Sequence, residues 1–75
     1  MAINIYHTHC EHVEILYYIS DKNEDKVPYH LDERMIGTMD DIAEHVCVNL
    51  VHHNFVSADV CSVETGEVLM MIERT

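Results

Sequence analysis

Residues 56–73 read VSADVCSVETGEVLMMIE, and this stretch decides the fold. Val56, Ala58 and Val60 alternate with Ser57, Asp59 and Cys61, and Val68, Met70 and Ile72 alternate with Leu69, Met71 and Glu73. A period of two marks strands with one buried face. Between them, Glu64-Thr65-Gly66 offers a three-residue loop whose glycine can take the left-handed conformation of a common hairpin connection. Closing the chain over that loop sets even positions opposite even positions. Val56, Ala58, Val60, Val68, Met70 and Ile72 are then expected together on the core side.

Upstream the period changes. Thr38 precedes Met39-Asp40-Asp41-Ile42, and helical spacing runs to about Phe55. Thr38 suits a helix cap, with Asp41 in the place of the capping-box acid, and Asp40, Asp41 and Glu44 suit the positive end of the dipole. The buried stripe expected from this spacing is Met39, Ile42, Ala43, Val46, Cys47 and Leu50.

Towards the N-terminus, apolar residues fall on odd positions at Ile3 and Ile5 and again at Val13, Ile15, Tyr17 and Ile19. The stretch is too long for one ordinary strand. It reads as two strands with a polar tip around His7 to His12. Asp21 to Lys26 reads as a further turn, and Val27, Tyr29 and Leu31 as a short third strand, which Pro28 places at an edge. The expectation is one α+β domain over residues 1–75: β-β-β-α-β-β, an antiparallel sheet of four to five strands with one helix packed across it.

Seventy-five residues make one domain, marginal in stability because so small a chain buries only about 60% of its unfolded surface. No apolar run approaches the ~20 residues of a membrane span. The opening Met1-Ala2-Ile3-Asn4 lacks the basic and apolar regions of a secretion signal. A cytoplasmic setting is expected, with Cys10, Cys47 and Cys61 reduced. Fourteen acids against four bases give a formal charge of −10. Over roughly 4,700 Å² for a folded chain of this mass, that is a dense negative field. It disfavours nucleic acid and anionic membranes as partners and favours a basic protein.

Two groups of residues are candidates for a site. Asp32, Glu33, Asp40, Asp41 and Glu44 flank the helix start, where a preceding loop would gather them on one edge for a basic, nucleic-acid-binding partner. His7 and His9 would point the same way about 7 Å apart on a strand. With His12 or Cys10 brought round as a third ligand, they offer the alternative of a divalent-metal module, although no family spacing such as H-E-x-x-H accompanies them. Catalysis is not expected: the carboxylate pairs are those of any very acidic chain, Cys10 has no orienting third group in sequence, and the only glycines, Gly37 and Gly66, form no phosphate loop. The sequence therefore points to a non-enzymatic acidic binder that blocks a basic protein, in the manner of phage or mobile-element inhibitors. Apolar residues on both hairpin faces leave room for a homodimer.

Overall fold

A computed structural model describes residues 10–23 and 25–74, the side chains of residues 30–32 excepted. In chain order the elements are β1 (Cys10–Ser20), β2 (Lys26–Thr38), α1 (Met39–His52), β3 (Ser57–Ser62) and β4 (Val68–Glu73). They form a four-stranded sheet in the order β2-β1-β3-β4, every neighbouring pair antiparallel. This is the expected α+β architecture, one helix on one face of an antiparallel sheet. The strand expected around Ile3 and Ile5, and with it His7 and His9, lies outside the described residues. Because β2 and β3 both run against β1, α1 carries the chain over β1 from one flank to the other.

The core follows the parity expected from the sequence. Val13, Ile15 and Tyr17 of β1 are buried, and Ile19 packs against them. In the ladder Ile15 faces Val60 and Tyr17 faces Ala58; Val60 in turn faces Met70, and Ala58 faces Ile72. From above, α1 lowers Ile42, Val46 and Leu50 onto this surface. Each such buried side chain contributes about 1.5–3 kcal/mol before the cost of ordering it. Thr38 caps the helix as expected, its hydroxyl accepting from the Asp41 backbone N–H at 3.2 Å. At the other end the helix stops at His52, before Phe55. Asn54 takes a left-handed φ of 58°, which asparagine tolerates better than most residues. That turn sets Phe55 face to face with Tyr17 at 4.6 Å between ring centroids.

Several details differ from expectation, each for a physical reason. Cys10, Glu11 and His12 belong to β1 and are no hairpin tip; the ladder opposite Ile36, Gly37 and Thr38 holds them extended. The strand expected at 27–31 runs on to Thr38 and pairs along all of β1. Residues 30–32 bulge opposite Leu16, because Ile15 pairs with Glu33 and Tyr17 with Tyr29. The parity is thereby kept, and Tyr29, Glu33 and Met35 share the helix side of the sheet. Cys47 is exposed, because α1 rests on the sheet through a narrow line of residues three and four apart. Val68 is 48% exposed, because a second bulge between Val60 and Cys61 pairs it with Cys61, away from the core. Gly66 takes the positive φ (76°) expected of it, but the connection is longer than the expected Glu64-Thr65-Gly66 and runs from Val63 to Glu67, with the Ser62 N–H donating to the Glu67 carbonyl at 2.8 Å.

Candidate binding surface

The antiparallel ladder determines which charges share an end of the sheet. Cys10, Thr38, Ser62 and Val68 lie at one end, and Ser20, Lys26, Ser57 and Glu73 at the other. Since α1 follows Thr38 directly, Asp40, Asp41 and Glu44 occupy the first end. Glu11 stands there opposite Gly37. The β3–β4 turn brings Glu64 and Glu67, anchored where the Val63 N–H donates to the His12 carbonyl at 3.0 Å. Six carboxylates thus converge from three elements. Lys22, Lys26 and Arg74 lie at the opposite end, and Arg34, the remaining base, is in the middle of β2. That opposite end also carries Asp21, Asp25 and Glu73, and its charges are spent internally. Lys26 bridges Glu73 at 3.0 Å. Arg74 donates to Asn54 Oδ1 at 2.8 Å and to the Leu50 carbonyl at 3.5 Å, meeting the negative end of the helix dipole.

Of the five acids expected to form the contact, Asp40, Asp41 and Glu44 share the acidic end and are exposed. Asp32 belongs to β2, and its side chain lies outside the described residues. Glu33 belongs elsewhere. No loop gathers it, because the strand runs without a break into the helix. Its odd position in β2 turns it under α1, where Oε1 accepts from the Tyr17 hydroxyl at 2.8 Å and from His45 Nε2 at 2.7 Å. Asn49 Nδ2 donates to the Tyr17 oxygen at 2.9 Å and reaches Glu33 Oε2 at 3.4 Å. With its Nε2 proton committed to Glu33, His45 is a neighbour of the Asn49 amide nitrogen at 3.2 Å and no acceptor for it. Burial, opposed by the Asn49 bond and reinforced by Glu33, raises the Tyr17 phenol well above its ordinary value. This cluster escaped the sequence reading because its members lie on three elements. The one available signal was an acid at an inward position of β2, legible only once that strand's true length is known.

Glu11, Glu64 and Glu67 also stand at the acidic end, where the sequence reading did not place them. Their convergence depends on strand order, which periodicity does not reveal. For the metal alternative, His12 is exposed on β1 opposite Ile36, while His7 and His9 lie outside the described residues. Among the described residues no three His, Cys, Asp or Glu side chains come together as metal ligands, and no helix is long and apolar enough to cross a membrane. No protein-family model, curated protein or solved structure matches the chain.

Proposed function

We propose that this chain is a non-enzymatic binding protein whose acidic end docks on a basic surface of another protein and blocks it. The observation that carries the reading is the segregation of charge along the sheet. Glu11, Asp40, Asp41, Glu44, Glu64 and Glu67 meet at one end, while at the other Lys22, Lys26 and Arg74 stand among Asp21, Asp25 and Glu73, which balance them. An evenly scattered surplus would merely keep a protein soluble. A polarised one creates a directed field that orients the molecule as it approaches a positive surface and speeds encounter. Carboxylates on a helix N-terminus and a hairpin turn are carried by ordered backbone, so little backbone freedom is lost on docking. A groove that normally receives a phosphate backbone is the kind of surface such an end fits, and occupying it would exclude the nucleic acid.

The test is competition. A basic DNA-binding protein carrying labelled duplex is titrated with the chain at about 0.05 M and about 0.3 M salt. Displacement is expected at low salt and should weaken steeply at high salt. Two variants discriminate. Glu64→Gln with Glu67→Gln leaves the helix untouched and should weaken displacement about tenfold. Asp21→Asn with Asp25→Asn removes the same charge from the opposite end and should have little effect. Equal losses from both would mean that net charge alone acts, and the proposal of a directed end would fall.

A further inference from the structure

The face of the sheet turned away from α1 has an unusual composition for so acidic a chain. Ladder parity places Leu16 and Tyr18 of β1, Ile36 of β2, Cys61 of β3 and Val68 and Met71 of β4 on it. Ile36 is 69% and Met71 74% exposed. A solvated sheet face is normally polar at alternate positions. Here the charges are sparse and answered within the face. Glu14 stands opposite Arg34 in the ladder. Asp59 accepts from the Tyr18 hydroxyl at 2.9 Å. Lys26 passes 6.0 Å from the Tyr18 ring centroid on its way to Glu73 at 3.0 Å. The described side chains of this face therefore carry three carboxylates against two cations, a near-neutral surface on a chain of formal charge −10.

We infer that this sheet face, left exposed by the described residues, is the interface of a homodimer, packed face to face with the two strand directions opposed. Three observations select a second copy as the occupant. First, the face lacks the surplus of carboxylates that would draw a basic partner, and its apolar, internally neutralised pattern suits a self-complementary contact. Second, charge repulsion sets the orientation. A two-fold axis lying between the sheets and across the strands sets the acidic end of one subunit over the balanced end of the other, where Lys22, Lys26 and Arg74 stand with Asp21, Asp25 and Glu73. It also holds the two acidic ends as far apart as the contact allows. An axis along the strands would bring the two acidic ends together, which their repulsion opposes. Third, the size is adequate. At ~4.8 Å between strands and ~3.3 Å per residue, the face spans roughly 500 Å² in projection. Side-chain relief raises that towards the ~800 Å² per partner of a standard interface. Asp40, Asp41 and Glu44 lie on α1, on the side of the sheet away from this contact, so the dimer would still present them at both extremities.

Sedimentation velocity across a concentration series tests this, with the rate of iodoacetamide alkylation at each cysteine as a second readout. A monomer–dimer equilibrium is expected, and raising salt from about 0.05 M to about 0.5 M should leave it unchanged or tighten it, since the subunits repel overall. Docking on a basic surface should respond to salt in the opposite direction, so the two readings fail separately. Cys61, on the covered face, should react more slowly as protein concentration rises; Cys47, on the outer side of α1, should not. Met71→Lys should lower the association constant at least about tenfold with the melting temperature of the monomer unchanged, because Met71 is already exposed. Val51→Lys, on the outer side of the helix, should leave association intact. A chain that stays monomeric at every concentration, or a dimer lost in Val51→Lys and kept in Met71→Lys, would overturn the inference.

Discussion

The Tyr17 hydroxyl lies 2.8 Å from Glu33 Oε1, joining β1 to β2 beneath the helix beside the aliphatic Val13, Ile15 and Ile19. Through His45 and Asn49 the same carboxylate reaches α1. The helix is thus held to the sheet by two means: the apolar line of Ile42, Val46 and Leu50 and, beside it, a polar clasp centred on Glu33.

Removing the hydroxyl should show what the clasp contributes. Tyr17→Phe keeps the ring stacked on Phe55 and deletes the donor to Glu33 and the acceptor for Asn49. A loss of about 1–2 kcal/mol is expected, read from urea unfolding. A variant as stable as the parent would mean that solvent replaces the bonds without cost.

The same residue sets an alkaline limit. Burial raises the Tyr17 phenol in the folded chain above its ordinary value of 10.0, so the folded state holds that proton more tightly than the unfolded one. Its stabilising effect is complete below about pH 10 and is lost as pH rises through the folded value. Stability should therefore fall on the alkaline side from about pH 10, and the fall should be shallower in Tyr17→Phe. Parallel pH profiles would assign the loss to other groups.

At the helix entrance, Thr38→Ala removes the oxygen that accepts from the Asp41 backbone N–H. A cost of about 1 kcal/mol is expected, with Thr38→Ser close to neutral. Hydrogen exchange at Asp41 should speed up in the alanine variant and stay slow in the serine variant.

The two glycines should respond with opposite signs. Gly66 has a φ of 76°, so Gly66→Ala meets backbone strain and should cost about 1 kcal/mol or more. Gly37 has an ordinary strand conformation, and a methyl group there would meet its nearest neighbour, Asp41 Cβ, at 3.6 Å, a normal contact. Gly37→Ala should be neutral or stabilise by up to about 1 kcal/mol, because it restricts the unfolded chain. Chemical denaturation of the pair settles the signs.

Two buried serines offer a similar contrast. Ser62 Oγ accepts from the Thr65 backbone N–H at 3.2 Å and helps shape the hairpin, so Ser62→Ala should cost about 1 kcal/mol. Ser57 Oγ is buried and has no hydrogen-bond partner among the described residues. Ser57→Ala removes a polar group that has lost its water, and it should leave stability unchanged or raise it. Equal destabilisation of the two would show that Ser57 is satisfied in solution.

How far the sequence was legible follows from the range of each interaction. The Val56–Ile72 hairpin, the cap at Thr38 and the odd-numbered burial of Val13, Ile15 and Tyr17 are local patterns, and each appears in the structure. The extent of β2 was hidden because Asp32-Glu33-Arg34 and Gly37 have the composition of a loop; a bulged strand with one solvated side accommodates them. Cys47 and Val68 were misplaced for related reasons, since a narrow helix contact and a one-residue bulge are set by neighbours remote in sequence. Of the acidic end, Asp40, Asp41 and Glu44 are near one another in sequence and therefore visible. Glu11, Glu64 and Glu67 join them only through the strand order, and Glu33 leaves them only because its strand position turns it inward.

Placing β1 between β2 and β3 also has a consequence for synthesis. The hairpin of β1 and β2 can close as soon as residue 38 leaves the ribosome, whereas the second edge of β1 waits for residues 57–62. Until then Val13, Ile15 and Tyr17 border an unpaired line of backbone donors and acceptors, the kind of template on which nascent chains join one another. A chain stopped just after the helix would keep that edge open permanently, and aggregates are the expected product of such a truncation.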